Sequence, residues 1–268
     1  EKDRIYLSGY FGRDVLGFED IMSIDWGNKT GTIRWNHLFG DRLFLNSTLV
    51  YSDYNFKQGA NLNDINISLI SGIKDFNFKE DFQFYANTRN TFKWGTNFIY
   101  HTFNPGQVES DYAGFEPPVL DDRYAFDAAA YLSHEIKIGA RLALDYGLRY
   151  SRFIPVGPGD YYAFNTRGSV IDTISYNKGE TIADYGGFEP RASLSFVLSD
   201  VSSLKASYNR NRQYIHLISN STSGTPLDTW IPSSNIVRPE LADQFALGYF
   251  RNFNNNQYET SVEAYYKI

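Results

Sequence analysis

The sequence predicts an all-β chain, folded as an antiparallel, up-and-down β-barrel that crosses a membrane. Three observations favour this fold class: a period-two alternation of apolar and polar residues, strands longer than those of soluble sheets, and connections that are alternately short and long. Helical spacing is hard to find, and aromatic residues make up 17 % of the chain.

The composition excludes several classes of protein and site. With 25 Lys+Arg against 31 Asp+Glu, the chain lacks the basic surface that binds nucleic acid, so no such partner is expected. The absence of cysteine excludes disulfide frameworks, thiolate zinc sites and cysteine nucleophiles. No apolar run approaches the roughly 20 residues of a spanning helix, and an apolar content of 42 % is too high for disorder.

The segment 141–150 shows the alternation most clearly. Every second position is apolar or aromatic, namely Leu142, Leu144, Tyr146, Leu148 and Tyr150. Because successive side chains of a strand point to opposite faces, this segment has one apolar and one charged face. The segment 126–138 repeats the design, and Gly139-Ala140 between the two predicts a tight hairpin turn.

Eleven strands are predicted, at residues 3–15, 23–38, 42–57, 64–86, 91–104, 122–138, 141–155, 186–199, 203–218, 241–253 and 257–268. Most exceed the roughly five or six residues of soluble strands. Several are long enough for a tilted membrane crossing, which takes about 9–11 residues.

The connections differ in length in a regular way. Short ones are expected at 39–41, 87–90, 139–140, 200–202 and 254–256, and longer ones at 16–22, 58–63, 105–121, 156–185 and 219–240. Short turns at one end and long loops at the other are typical of outer-membrane barrels. A soluble β-sandwich has shorter strands and lacks this alternation.

The apolar face is expected to contact lipid and the charged face to line the lumen, where Glu135, Asp145 and Arg149 would lie. Aromatic residues crowd the strand ends, as at Phe98 and Tyr100, and such rings suit the level of the lipid headgroups. The alternative is a soluble β-protein whose aromatic residues pair across strands.

Bacterial barrels of this kind have an even number of strands, so the eleven predicted here are not expected to close. We therefore interpret residues 1–268 as a single, incomplete barrel domain. Its edges, near Asp3–Arg13 and Tyr258–Ile268, would pair with strands outside this chain.

No catalytic, cofactor-binding or metal-binding site is expected. The histidines lack the close spacing of metal ligands: His37, His101, His134 and His216. No phosphate-binding loop, nucleophile elbow or His-Glu-x-x-His motif occurs. Carboxylate pairs with a spacing suited to glycoside hydrolysis would occur in any charged barrel lumen, so they are not evidence for an enzyme. The chain is therefore not expected to be an enzyme.

The last third of the chain resembles the barrel of TonB-dependent outer-membrane receptors. The most specific part is 236–249, where Pro239-Glu240 precedes a strand that ends in Leu247-Gly248. Further resemblances lie at 188–196, 203–210 and 262–267, and looser ones at 3–10, 32–37 and 97–106. The resemblance implies a barrel of about 22 strands around a plugged lumen, about half of which is present here. The family's plug domain and TonB-contacting box have no counterpart in this sequence.

The resemblance also implies active transport across the Gram-negative outer membrane. The parent protein would bind a scarce nutrient at its external loops and import it with energy from TonB; siderophore, cobalamin, glycan and peptide are open as cargo. Its partners would be outer-membrane lipid, the missing plug domain, the remaining barrel strands and TonB, and a surface lipoprotein is left open. The alternatives are a passive porin, a surface adhesin and a secreted β-rich hydrolase.

Selectivity is expected in the loops 105–121, 156–185 and 219–240, because loops on a rigid scaffold carry binding. The aromatic candidates for stacking on a ligand are Tyr161, Tyr162, Tyr214 and Trp230. The candidates for meeting its anionic groups are Arg149, Arg210 and Arg212.

Overall fold

The structure, a computed structural model, describes residues 2–18, 21–62, 65–112, 114–116, 120–218 and 229–268. These residues form fifteen β-strands. The strands are β1 (Asp3–Phe18), β2 (Met22–Leu38), β3 (Leu43–Leu62), β4 (Ile65–Asn87), β5 (Asn90–Ser110), β6 (Arg123–Ile138), β7 (Leu142–Val156), β8 (Gly159–Phe164), β9 (Val170–Tyr176), β10 (Tyr185–Ser199), β11 (Ser202–Gln213), β12 (Ile215–Ile218), β13 (Thr229–Pro232), β14 (Glu240–Phe253) and β15 (Tyr258–Lys267). In these ranges no helix has the length and apolarity needed to cross a membrane.

Eleven strands form one antiparallel sheet in the order β1-β2-β3-β4-β5-β6-β7-β10-β11-β14-β15. Each strand pairs with the next along the chain, apart from two small hairpins, β8–β9 and β12–β13, that are inserted into connections. The predicted fold class, an incomplete up-and-down barrel with eleven strands, is confirmed. The predicted turn at Gly139-Ala140 is also present, and Gly139 adopts a φ of 64°, which favours glycine.

The register places like side chains on the same face of the sheet. Leu144 pairs with Leu194 and Ile136, whereas Asp145 pairs with Ser193 and Glu135. We call the face that carries Leu144 the apolar face and the face that carries Asp145 the polar face. Most large side chains of the apolar face are at least partly exposed, and most of the buried residues lie on the polar face, as expected of a barrel wall with lipid outside.

Aromatic rings form two rows on the apolar face. The row nearer the short turns contains the stacked pairs Phe82–Trp94 and Phe92–His134 and the contact of His134 with Tyr146. The row nearer the long connections contains the pairs Tyr51–Phe76, Phe98–Phe126, Tyr150–Phe188 and Tyr208–Phe245. Aromatic rings on the outer face are typical of barrels that cross a membrane.

Two predicted loops are largely strand. The predicted connections 16–22 and 58–63 lie mostly within β1–β2 and β3–β4, whose ladders continue to Phe18↔Met22 and Leu62↔Ile65. Apolar side chains on the polar face support the extension, because Ile24 and Phe56 are buried there. We predicted the strand ends at the positions where the alternation of apolar and polar residues weakens. The strands of both pairs continue to pair beyond those positions.

The predicted strand 203–218 is wrong as a single element. Its barrel part, β11, ends at Gln213, and residues 215–218 form β12, which pairs with β13 in a separate two-stranded sheet. The break occurs at Tyr214. Its ring is buried against the barrel wall, and the chain leaves the large sheet at this residue. Burial of the Tyr214 ring therefore stabilises the structure more than extension of the β11 ladder would.

The β12–β13 hairpin folds back across the polar face. Although it is inserted after β11, its strand β13 contacts β4 and β5, which lie on the far side of β6, β7 and β10 in the sheet. Two hydrogen bonds hold its base: Ser233 N donates to Tyr214 O over 2.7 Å, and the Tyr185 hydroxyl donates to Ser234 O over 2.5 Å. The hairpin thus covers the end of the polar face at which the long connections lie.

Candidate ligand-binding site

The candidate site lies on the polar face at the end of the long connections, between the β8–β9 and β12–β13 hairpins. Its floor is a small apolar cluster of Phe103, Ala125, Phe153 and Tyr214. Phe103 and Phe153 are fully buried, and the rings of Phe153 and Tyr214 stack with centroids 5.1 Å apart. The cluster joins β5, β6 and β7 to the start of the β12–β13 hairpin, so the hairpin is packed against the wall.

A buried polar network adjoins this floor. The Ser151 hydroxyl donates to the Glu189 carboxylate and lies 2.7 Å from the Tyr214 hydroxyl. The Arg149 guanidinium is 3.8 Å from the same carboxylate, which is buried. A buried carboxylate requires such partners, because desolvation disfavours its charge. Arg149 is therefore already engaged with Glu189, and its side chain remains partly exposed.

A second group of polar side chains lies on β4, β5 and β6. His101 is buried, and its Nδ1 is 2.7 Å from an oxygen of Asp75. His101 Nε2 and Asp127 Oδ1 are buried and have no hydrogen-bond partner among the described residues. Since buried polar atoms normally find partners, these two atoms are available to water, a ligand or another part of the protein.

The β8–β9 hairpin presents one buried and one exposed tyrosine. Tyr161 packs edge-on against Tyr176, with centroids 5.7 Å apart, and Arg123 lies 4.3 Å from its ring centroid. Burial raises the pKa of the Tyr161 hydroxyl, and the nearby Arg123 partly opposes that rise. Tyr162 points the other way and is 43 % exposed. Of the two, Tyr162 has the exposed ring that stacking on a ligand requires.

The two arginines of β11 lie on different faces. Arg210 shares the apolar face with Tyr208 and binds Asp243 through two hydrogen bonds of 2.8 Å. Arg212 instead turns onto the polar face, where its guanidinium lies over Gly187 and would collide with a side chain at that position. The β10–β11 ladder ends at Arg191↔Asn209, whereas the β11–β14 ladder continues in register through Arg212↔Leu241. The long side chain of Arg212 therefore reaches Gly187 beyond the end of the β10–β11 pairing.

The structure brings some of the predicted site residues together and separates others. Arg149, Arg212 and Tyr214 surround the same network on the polar face. Tyr161 and Tyr162 lie on the adjacent hairpin, and Trp230 lies on β13, opposite Leu217. Arg210 lies outside this group. That any of these side chains contacts a ligand stays a prediction.

Sequence reasoning did not place four polar residues in the site: Asp127, Ser151, Glu189 and His101, the last of which it considered only as a metal ligand. The signal was present, because each lies on the polar-face parity of a long strand, near the end that leads into a long connection. The alternation within one strand does not show which of these positions lie side by side on neighbouring strands. In the described part of the chain, no three His, Asp or Glu side chains are grouped closely enough to hold a metal ion.

Comparisons with known proteins agree with this architecture. The sequence matches the family model described as "TonB dependent receptor-like, beta-barrel" over residues 3–268. A comparison with curated protein sequences found no match.

Solved structures of receptors share the fold at low identity. The copper transporter OprC has a TM-score of 0.72 and 11 % identity, covering 99 % of this chain and 42 % of that chain. BauA, the ferric preacinetobactin receptor of Acinetobacter baumannii, has a TM-score of 0.64 and 13 % identity, covering 99 % and 44 %. FyuA, the ferric yersiniabactin uptake receptor of Yersinia pestis, has a TM-score of 0.64 and 12 % identity, covering 99 % and 42 %.

The chain therefore spans less than half the length of these three proteins, and at such identities the likeness concerns the fold alone. The family match is independent of that likeness and covers almost every residue. The chain belongs to the TonB-dependent receptor β-barrel family, whose members are proteins of the Gram-negative outer membrane.

Proposed function

We propose that this chain is the barrel portion of an outer-membrane receptor that binds a scarce nutrient on its external side and imports it with energy from TonB. The observation that carries the proposal is the family match over residues 3–268. The covered polar face supports it, because a packed hairpin over the lumen suits a gated receptor. A passive porin requires an open, water-filled channel, which the floor of Phe103, Phe153 and Tyr214 does not favour.

The site favours an anionic cargo with planar or apolar parts. Arg212 offers positive charge on the polar face, where Arg149 is already engaged with Glu189, and Tyr162 offers an exposed ring. Arginine pairs well with carboxylates and other oxygen anions, and aromatic faces bind planar groups. Two structural neighbours are named as receptors for ferric siderophores. Among siderophore, cobalamin, glycan and peptide, we therefore propose a ferric siderophore as the first cargo to test.

The partners follow from the same proposal. The unpaired edges of β1 and β15 would pair with the remaining strands of the parent barrel. The part of the polar face that the β12–β13 hairpin leaves uncovered would meet a plug domain, through which TonB would act. A surface lipoprotein remains a proposed partner on the external side, and no enzymatic step is proposed.

Uptake by the full-length protein tests the function. The protein is expressed in a Gram-negative host that lacks its own ferric siderophore receptors, and the uptake of a panel of radiolabelled ferric siderophores, cobalamin, oligosaccharides and peptides is measured with and without a functional tonB gene. We expect saturable uptake of one class, lost without TonB. Uptake that is equal in both hosts would contradict energised transport and support a passive barrel.

A further inference from the structure

Hydrogen-bond acceptors that lack a donor gather on the polar face at β4, β5 and β6. Four buried atoms there have no hydrogen-bond partner among the described residues, namely Asn77 Oδ1, Asn97 Oδ1, His101 Nε2 and Asp127 Oδ1. Asn77 and Asp127 pair with Ile99 from its two sides. Asn97 and His101 lie two residues before and after Ile99 on β5. We call these four side chains the acceptor patch, and Ile99 is its apolar centre.

His101 is fixed as an acceptor by a neighbouring carboxylate. The residue is 2 % exposed, and its Nδ1 lies 2.7 Å from Asp75 Oδ1. In the neutral ring, Nδ1 therefore carries the proton and donates it to Asp75, which leaves the lone pair on Nε2. A histidine oriented in this way by a carboxylate commonly uses its second nitrogen to bind a ligand. His101 Nε2 thus requires a donor that the described residues do not supply.

Asp127 adds a negative charge that lacks a pairing cation. Its cross-strand neighbours, Ile99 and Phe153, are apolar. Three cations at nearby positions already have partners: Lys79 lies 2.9 Å from Asp81, Arg149 lies 3.8 Å from Glu189, and the Arg123 guanidinium lies 4.3 Å from the ring centroid of Tyr161. Because desolvation disfavours an unpaired charge, the buried oxygen of Asp127 favours a ligand that carries a positive charge.

The acceptor patch borders the aromatic floor of the candidate site. The ring centroid of His101 lies 5.5 Å from that of Phe103 and 6.2 Å from that of Phe153. The β12–β13 hairpin covers this region, since β13 contacts β4 and β5. The hairpin forms a two-stranded sheet of its own, so it can move aside without breaking the ladders of the barrel wall. A ligand that enters beneath it meets apolar side chains and acceptors together.

We propose that the acceptor patch binds an ammonium group attached to an apolar or aromatic body. An ammonium offers three donors and a positive charge, which suit His101 Nε2 and the Asp127 carboxylate. These two residues are diagonal neighbours on adjacent strands, about 7–8 Å apart, so their side chains can meet at one nitrogen. The apolar body lies on Ile99. The proposal deepens and rests on the proposed function: with Arg212, the patch selects a cargo that carries both an oxyanion and an ammonium.

Fluorine NMR of the full-length protein in detergent tests this site without knowledge of the cargo. The probe is para-trifluoromethyl-benzylammonium, and the matched neutral probe is the corresponding benzyl alcohol. Binding is the part of the line broadening that excess unfluorinated benzylammonium removes. Asp127→Asn removes the charge and retains the shape. Asp75→Asn places an amide donor beside His101 Nδ1, which moves the ring proton to Nε2. The control is Asp145→Asn, which removes a carboxylate of the same face nearer the short turns.

We expect Asp127→Asn to weaken binding of the ammonium probe by about tenfold, as loss of a hydrogen bond to a charged group does. Asp75→Asn should weaken it too, whereas Asp145→Asn should bind as the wild type does. The neutral alcohol should bind more weakly than the ammonium to the wild type and equally to all variants.

Equal binding of the ammonium probe by the wild type and Asp127→Asn would overturn the proposal, as would equal affinity for the alcohol. A wild type that does not bind the probe would also overturn it, and this is the result expected if a plug side chain fills the patch. If Asp127→Asn fails to fold, Asp75→Asn decides the question. None of these outcomes alters the uptake measurement, which tests the transport function separately.

Discussion

The ring of Tyr214 stacks on the ring of Phe153, with centroids 5.1 Å apart and planes inclined by only 5°. This contact joins the first residue after β11 to the end of β7 that leads into a long connection, 61 positions away in the numbering (214 − 153). Because Tyr214 also lies at the base of the β12–β13 hairpin, the stack fixes the hairpin over the polar face. The Phe153–Tyr214 stack is thus a contact between the barrel wall and the hairpin that covers its polar face.

Removing this ring should release the hairpin. Tyr214→Ala in the full-length protein should cost about 3–5 kcal/mol of local stability, as truncation of a large buried aromatic side chain does. Tyr214→Phe should retain most of the stacking and lose only the hydroxyl contact with Ser151. Limited proteolysis of the segment 215–232 measures the effect. Tyr162→Ala, which removes an exposed ring, is the control, and equal cleavage of it and Tyr214→Ala would contradict the role of the stack.

A side chain at position 187 should displace Arg212. A Cβ on Gly187 would collide with the Arg212 guanidinium, which is the mobile end of a long side chain and can move away. Gly187→Ala should therefore change the free energy of unfolding by less than about 1 kcal/mol and still lower the affinity for an anionic cargo. Titration of the cargo against both proteins measures this. Gly40→Ala, where a Cβ meets nothing within 4 Å, should bind normally. Unchanged affinity of Gly187→Ala would exclude Arg212 from the cargo site.

The two ends of the sheet should face different compartments. The short turns, such as Asn254–Asn256, should lie in the periplasm and the β8–β9 hairpin outside the cell, because barrels of this kind place long loops outside. Cysteines introduced as Gly159→Cys and Asn255→Cys in the full-length protein report the orientation in whole cells. An impermeant thiol reagent should label position 159 only. Labelling of position 255 alone would reverse the assignment.

The apolar face should tolerate arginine poorly at mid-depth. Leu148 lies on the apolar face in the middle of β7, where it pairs with Leu132, whereas Ser193 lies on the polar face of β10, where it pairs with Asp145. Arginine at a lipid-facing midplane position costs about 2–4 kcal/mol. Leu148→Arg should therefore reduce folding into lipid bilayers much more than Ser193→Arg. Equal folding yields, measured by the protease-resistant fraction in vesicles, would show that the apolar face is not in lipid.

The sequence by itself determined the sheet. Period-two alternation depends on one strand only, so the two faces, the number of sheet strands and most strand boundaries could be predicted without knowledge of neighbours. The pattern at Pro239-Glu240 and Leu247-Gly248 sufficed to indicate the family, because it lies within a single strand and its approach. The aromatic residues near the strand ends were likewise visible along the chain.

Only the tertiary structure decided which polar side chains meet. Arg210 and Arg212 have the same parity in the sequence, and yet one binds Asp243 on the apolar face and the other lies over Gly187 on the polar face. The difference arises where the β10–β11 ladder ends and Tyr214 turns inwards to stack on Phe153. Stacking between residues so far apart depends on the packing of several strands at once, whereas alternation is a property of each strand alone. The wall was therefore predictable, and the site upon it was not.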